Sequence, residues 1–355
     1  MSINDVLNSS YIKWMDSEEG NRDIVISSRV RLARNLNKIP FPHLLDQANG
    51  EKCLEQIRDA WKKSSGSVLS SMDMVTFDQL SALDRQIFAE KHLSSPMYAA
   101  SNSSLRAILV NDNGSLSAMV NEEDHLRIQC LLPGLQLGEC YSRVQELDDE
   151  FEQKLDYAFD ENRGYLTSCP TNVGTGMRAS VMLHLPAIQM TGQLNQILQN
   201  IGQLGLAVRG LYGEGSEPVG NFFQISNQIT LGQAEEDICN YLQTITEQLV
   251  EQESLLRERL QTDMKYQLED KIGRAYGILS NARVIPSDEA LTLFSAVRLG
   301  VDLRILKGIS LFSLNELMVA VRPAHLQKRG GREMDTVERD IKRAEVIKEK
   351  LTFVQ

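Results

Sequence analysis

Four short stretches of the 355-residue sequence hold the residue types that phosphate chemistry needs. Ser27-Ser28-Arg29-Val30-Arg31 sets two arginines at i, i+2. On a strand that spacing sends both guanidinium groups to one face, where each can grip a phosphate through paired N–H donors. Asn121 to Arg127, NEEDHLR, compresses three acids, a histidine and an arginine into one connection between strands. Cys169 to Pro186, CPTNVGTGMRASVMLHLP, carries Arg178 among glycines, and RGLYGE places Arg209 and Glu214 in a Gly-rich loop with Glu217 close behind. Singly, each is more often a solvated edge or turn chemistry. Together they suit phosphoryl transfer, which asks for cations around the equatorial oxygens and for in-line positioning. No G-x-x-x-x-G-K-[ST] loop competes for that role.

Gly174, Gly176 and Ala179 satisfy G-x-G-x-x-[G/A], a dinucleotide-binding pattern that requires a following helix and an acid about 20 residues on. Both are missing. ASVMLHLP alternates like a strand, and no Asp or Glu occurs from Asn162 to Gly213, although the chain has 48 acids. That window holds only Arg163, Arg178 and Arg209 as Lys or Arg, which fits a polyphosphate pocket kept free of repelling carboxylates and equally a buried half-sheet. The glycines then read as backbone freedom for a turn close to a nucleotide.

The elements that must position these residues are of two kinds. LRAILVND, LSAMVN and DHLRIQCLL alternate as strands of an antiparallel sheet. EKCLEQIRDAWKK, DQLSALDRQIFAEKH, VQELDDEFEQKLDYAF and HLPAIQMTGQLNQILQNIGQLG read as helices, the last ending at a Gly in the C′ position. From about residue 233, Ile238, Leu242, Ile245, Leu249, Leu256 and Leu260 trace one long amphipathic helix packed on partners or on another subunit. Shorter helices follow, one starting at Pro286-Ser287 and one at the capping box Ser313 to Glu316. The expected division is an N-terminal extension (1–23), a mixed α+β catalytic domain (24–255) and an all-helical domain (256–355).

A net charge of -11 argues against a general nucleic-acid surface. No apolar run approaches the ~20 residues of a membrane span, and no signal peptide is evident. Five scattered cysteines without a C-x-x-C pair argue against a disulfide framework and fit a reducing cytoplasm.

In order and content the four blocks resemble the catalytic domain of the phosphagen (guanidino) kinases, over roughly residues 24–254. The resemblance implies a sheet flanked by helices and ATP with Mg²⁺ held through its phosphates. It implies that Arg29, Arg31, Arg127, Arg178 and Arg209 clamp those phosphates, with nucleotide contacts along Ser27 to Arg31, Arg178-Ala179-Ser180-Val181-Met182 and Arg209-Gly210-Leu211-Tyr212-Gly213-Glu214. Glu123 matches the catalytic carboxylate, Glu214 the second guanidinium-binding carboxylate, Cys169 the thiol beside the acceptor, and His92 more loosely the histidine near the adenine. The chemistry agrees. A guanidinium has a pKa above ~12 and no free lone pair, so two carboxylates that align it and steer its proton make it a nucleophile. A small buried residue is the plain alternative for Cys169, with a supporting role expected at most, and His125 is expected to be structural. His43 and His325 suggest surface or packing.

Three departures narrow the resemblance. Only 26 residues precede Ser27, where small-guanidine kinases carry a helical domain, so a more open site is expected. Met182 stands where those enzymes place a second adenine-side histidine, with His184 two residues on. The added helical segment ends in Arg339-Asp340-Ile341-Lys342-Arg343-Ala344, with Arg339 and Arg343 at i, i+4. By itself that is a salt-bridged helix. Behind a truncated guanidino-kinase domain it is similar to the R-D-x-x-R-A pocket of the bacterial protein-arginine kinase family, which binds phosphoarginine allosterically. That resemblance implies phosphorylation of arginine in proteins, marking for a Clp-type AAA+ protease, a homodimer, a small zinc-binding activator and a heat-shock repressor as substrate. Kinase action on free arginine or another small guanidine, and a non-catalytic adaptor, are the competing readings.

Overall fold

Residues 107–133 hold three largely apolar runs separated by the polar connections 111–115 and 121–125, and they form three consecutive strands of an eight-stranded antiparallel sheet. In the computed structural model, which describes residues 3–16, 23–210 and 219–352, the strands in chain order are β1 (Val25–Arg34), β2 (Asp73–Thr76), β3 (Ala107–Val110), β4 (Leu116–Val120) and β5 (Leu126–Pro133). A two-stranded hairpin of β6 (Phe159–Asp160) and β7 (Gly164–Tyr165) follows, then β8 (Met177–His184), β9 (Leu206–Arg209) and β10 (Phe222–Asn227). The sheet order is β2-β3-β4-β5-β1-β8-β10-β9, so β1 and β8 lie at its centre although their sequences are 150 residues apart.

One face carries Val30, Leu32, Ile128, Cys130, Ala179 and Val181, all at most 2 % exposed, under the helices Gln47–Lys62, Leu137–Glu152 and Glu235–Asp263. Each such aliphatic side chain taken from water contributes roughly 1.5–3 kcal/mol, which is what fixes the register. A second core joins the N-terminal segment, the helix Ala82–Glu90 and the C-terminal helices through Trp14, Phe88, Tyr98, Phe294 and Met318.

The expected long helix is present as Glu235–Asp263 and runs straight through residue 255. Three other helix expectations are revised. HLPAIQMTGQLNQILQNIGQLG is two helices, Pro186–Met190 and Leu194–Gln203, because Gly192 takes φ +73 between them; Gly205 (φ +75) follows the second, as expected. VQELDDEFEQKLDYAF leaves the helix at Glu152, since Leu155 and Tyr157 turn back into the core. The capping box begins three residues early: Ser310 Oγ accepts from Ser313 N at 3.0 Å, and Glu316 pairs instead with Lys350.

Candidate active site

The register of β1 with its two neighbours assembles the face opposite the aliphatic core. Arg31 lies directly across from Arg178 on β8 and from Gln129 on β5; Arg29 lies across from Ser180 and Leu131. Ala33 lies across from Arg127. Toward the other edge, Gln224 pairs with both Met182 and Arg209. In antiparallel pairs, residues directly opposite share a face. Five arginines from four strands therefore converge on one surface, and Arg29, Arg31, Arg127, Arg178 and Arg209 all line a single open cleft with Glu122, Glu123 and His92.

The NEEDH connection is held rigidly at the edge of this cleft. Asn121, at φ +56, donates its backbone N–H to the His125 carbonyl (3.0 Å), and its side-chain amide donates to Leu105 O at 2.8 Å. Glu122 is buried: its carboxylate accepts from Ser95 Oγ at 2.6 Å and pairs with Arg127. Burial works against the Arg127 charge, but Glu122 outweighs it and the guanidinium is held more firmly protonated than usual. Glu123, at the tip, is 42 % exposed and stands 3.8 Å from Arg127, facing the open cleft. The second Glu is thus the one available to a ligand, while the first holds an arginine in place.

Arg29 and Arg31 shift the other way. Burial, then the Arg127 and Arg178 charges, pull Arg29 down to about 10. Burial and the charges of Arg29, Arg127 and Arg178 push Arg31 well below its usual value, with Glu122 opposing weakly. Two guanidinium groups about 6 Å apart repel by roughly 3 kcal/mol at an effective dielectric of 20. The buried Nε of Arg31 has no hydrogen-bond partner among the described residues. A cluster of partly buried cations with an orphaned donor fits a polyanion such as the phosphate chain of ATP. No group of three or more His, Cys, Asp or Glu suited to a metal occurs among the described residues.

Not every residue drawn from the sequence faces the cleft. Val30, Ala179 and Val181 point into the aliphatic core, and Ser28 Oγ bonds Gly134 O (2.8 Å) and accepts from Gln136 N, so their side chains cannot reach a nucleotide there. Ser27, Ser180, Met182 and His92 instead line a small pocket that shares Arg29 and His92 with the cleft. His92 sits at φ +63 and burial, then Arg29 and Arg322, pull it down to about 3, so it is neutral. Cys169 lies off the cleft wall, its Sγ 3.0 Å from Thr171 Oγ1, although Ser168 N donates to Asp124, the neighbour of Glu123. His125 is structural: Nδ1 accepts from Leu36 N and Nε2 donates to Pro40 O. His43 is exposed, and His325 is buried against Glu90 at 2.6 Å. Leu211, Tyr212, Gly213, Glu214 and Glu217 lie outside the described residues; Gly210 ends the described part of that block.

The glycines of the opening motif serve the fold rather than a ligand. A Cβ on Gly174 (φ +111) would meet Thr230 O at 2.5 Å, and one on Gly176 (φ +63) would meet Ala33 O at 2.6 Å. They let two backbone segments approach, and β8 follows them where a dinucleotide fold needs a helix.

The C-terminal motif lies on the helix Thr336–Thr352 and is split by burial. Arg343 is 2 % exposed, donating to Val321 O (3.0 Å), Ile285 O (2.8 Å) and Asp340. Ala344 is buried, Ile341 exposed, and Lys342 pairs with Glu345 at 2.9 Å. Arg339 is half-buried, donating to Met334 O (2.8 Å), and lines a second cleft with Lys328 and Arg332. Arg106 was not singled out from the sequence. It lines the active-site cleft over the Tyr98 ring and donates to Asn121 O at 3.1 Å; nothing local in the sequence marks it.

The arrangement has relatives. The family model for the C-terminal catalytic domain of ATP:guanido phosphotransferases matches residues 52–256, and one for the protein-arginine kinase McsB C-terminal domain matches residues 265–355. The protein-arginine kinase of Syntrophomonas wolfei subsp. wolfei is 62% identical over 99% of this chain and 98% of its own length. That of Pelotomaculum thermopropionicum is 50% identical over 98% of each. Among solved structures, a duplicated taurocyamine kinase from Schistosoma mansoni with bound transition-state-analogue components matches with TM-score 0.59 and 26% identity, over 70% of this chain and 36% of its own. A lombricine kinase matches with TM-score 0.58 at 23% identity, over 72% of this chain and 76% of its own, which speaks to the fold alone. The chain belongs to the ATP:guanido phosphotransferase family and, within it, to the protein-arginine kinases. Its activity is that of a phosphotransferase that uses ATP.

Proposed function

We propose that the protein transfers the γ-phosphate of ATP to arginine side chains of other proteins. The observation that carries this reading is the convergence of five arginines on one cleft, with Arg31 pushed well below its usual value by burial and like charge and Glu123 exposed at the rim. Arg29, Arg31 and Arg178 bind the phosphates from the sheet, and Arg127, held by Glu122, supports the transferring group from its edge. When bound with ATP, Mg²⁺ supplies further positive charge on the phosphate oxygens. Glu123 receives the acceptor guanidinium, aligns one nitrogen in line with the γ-phosphorus and takes up its proton as the N–P bond forms and ADP leaves. Glu214 serves as the second carboxylate, Arg209 as the fifth phosphate contact, and Cys169 as a support for the acceptor's surroundings.

Residues 339–344 are proposed to read phosphoarginine and to regulate the kinase, with Arg339 as the cation that reaches the ligand and Arg343 as its structural support. The same reading assigns the product as a mark for a Clp-type AAA+ protease in a stress response, with a heat-shock repressor among the substrates. It also assigns a homodimer, a small zinc-binding activator and a cytoplasmic setting. No helix among the described residues is long and apolar enough to cross a membrane.

Incubation with Mg-ATP and a protein acceptor, followed by mapping of the phosphorylated residue type, tests the reading. Acid-labile phosphate on arginine is expected. Phosphate confined to Ser, Thr or Tyr overturns the reading, and transfer to free arginine but not to protein replaces it with a small-guanidine kinase.

A further inference from the structure

Among the large apolar side chains of the described residues the most exposed is Met97, 86 % open to solvent, and it lies on the wall of the active-site cleft that also holds Glu122 and Glu123. A single apolar side chain on a surface is ordinary. Met97 differs in being held out at that place by a segment fixed on both sides.

The segment is the short helix Pro96–Ala100 and the residues that lead into it. Ser95 Oγ accepts from Tyr98 N at 3.1 Å and donates to Glu122 Oε1 at 2.6 Å. Tyr98, the residue after Met97, is 1 % exposed, and its Oη lies 2.6 Å from both the Ala107 and the Val120 carbonyls on β3 and β4. The Arg106 guanidinium lies over its ring at 4.9 Å. The backbone on each side of Met97 is thereby tied to the sheet, while the Met97 side chain stays in water.

The same contacts set Met97 in register with Glu123. Glu122 joins the two: one carboxylate oxygen takes the Ser95 hydroxyl, and the other accepts from Glu123 N at 3.1 Å and pairs with Arg127. Met97 and Glu123 therefore belong to one hydrogen-bonded unit at the mouth of the cleft.

We propose that Met97 is a specificity-determining residue for the acceptor polypeptide, packing against an apolar side chain that flanks the target arginine. The proposal rests on the reading that Glu123 receives the acceptor guanidinium. In an extended acceptor, the residue two places from the arginine lies about 7 Å along the chain and on the same side, so it faces the enzyme together with the arginine. An exposed methionine gains by losing water to such a neighbour. Being unbranched and polarisable, it adapts to several apolar partners, which suits a kinase that meets arginine in many sequences. A free guanidine has no flanking residue and gains nothing from it.

The experiment gives the full chain Mg-ATP and short synthetic peptides, each with one arginine in a Gly-Ser background. A single Leu is placed from two residues before to two after the arginine, and the peptide without Leu is the baseline. For the wild type, Leu two places from the arginine is expected to raise kcat/KM about three- to tenfold over that baseline, mainly through KM. Met97→Leu should keep the preference and Met97→Ala should retain less than about twofold of it. Met97→Asp should favour Lys over Leu at the same position. ADP affinity, read by calorimetry, should be the same in all four proteins. A Leu preference that survives in Met97→Ala, or none in the wild type at any position, overturns the proposal. A Met97→Asp protein with altered sedimentation and an unchanged acceptor preference assigns the side chain to a contact between copies of the chain, and overturns it as well. Transfer to arginine that ignores the flanking residue sinks the role of Met97 alone. If the wild type phosphorylates arginine in none of the peptides, the reading of Glu123 fails with it.

Discussion

Two groups of arginines flank the same sheet and are built on opposite principles. Arg257, on the long helix, is 4 % exposed and fully answered: it pairs with Glu253 (2.8 Å), Asp302 (3.1 Å) and Asp23 (3.5 Å), and donates to His184 O. Glu253 in turn receives the N–H groups of Ala187 and Ile188 at the start of a helix. Arg29 and Arg31 are partly buried and face one another, Arg127 and Arg178, with Glu122 opposing the destabilisation of Arg31, whose Nε is orphaned. The first group closes its own electrostatics and stabilises the fold where helix meets sheet. The second is left open, at a cost in stability, and that open charge is what the proposed phosphate site rests on. Buried arginine alone is thus no sign of function; the missing counter-charge is.

The largest effect that sharpens the contrast is on chemistry. Glu123→Gln removes the proton acceptor at the rim without touching the phosphate grip, so transfer should fall by about 10²–10⁴-fold while nucleotide affinity stays close to wild type. A Gln variant with full turnover contradicts the assignment. Next come paired substitutions in the two groups. Arg257→Met strands Glu253 and Asp302 and should cost about 3–5 kcal/mol in denaturant unfolding, whereas Arg31→Met relieves repulsion and should leave stability at or above wild type.

Acid strains the fold as well. Burial holds His92 down to about 3 and, for His125, burial offset partly by the bond to Pro40 gives about 4. Both lie below the unfolded value near 6.5, so between pH 6.5 and about 4 the unfolded chain binds protons the folded chain refuses. Stability is intact above 6.5 and declines as pH falls through that window, by about 2 kcal/mol per ring at pH 5. Unfolding curves at pH 7.5 and 5.0 check this, and equal stabilities contradict it. Bound tripolyphosphate should lessen the loss, because His92 lies against the arginine face.

Within the C-terminal motif, Arg339→Ala should weaken phosphoarginine binding and leave nucleotide affinity intact, read by calorimetry with each ligand. Arg343→Ala should instead lower stability, because it frees the Val321 and Ile285 carbonyls. The smallest effect is Cys169→Ser, with turnover kept within about tenfold of wild type, since the thiol lies off the cleft wall.

What was legible in the sequence was local and periodic. The i, i+2 arginines of β1 predicted a shared face because strand geometry has period two, and the alternation after Gly176 predicted a strand and excluded a dinucleotide turn. The same period, read strictly, separates Arg29 and Arg31 from Val30, and Arg178 from Ala179 and Val181, whereas motif matching had grouped them all as nucleotide contacts. Spacing cannot say which way a helix face points: Arg339 and Arg343 are correctly a turn apart, yet one lines a cleft and the other is buried. Gly174 and Gly176 signalled close approach, but whether to a ligand or to Thr230 and Ala33 is decided 56 and 143 residues away in other strands and loops. Trp14 and Met318 meet across some 300 residues of chain through tertiary packing, which leaves no mark in either neighbourhood.

Thermal unfolding of wild type, Arg31→Met and Arg257→Met, each with and without inorganic tripolyphosphate, tests the central claim most directly. The account predicts that the anion raises the melting temperature of the wild type and of any folded Arg257→Met, and leaves Arg31→Met, already as stable as wild type, largely unmoved. An Arg31→Met protein that melts as low as Arg257→Met, or that tripolyphosphate stabilises as fully as the wild type, contradicts the claim that the open arginine face is a phosphate site.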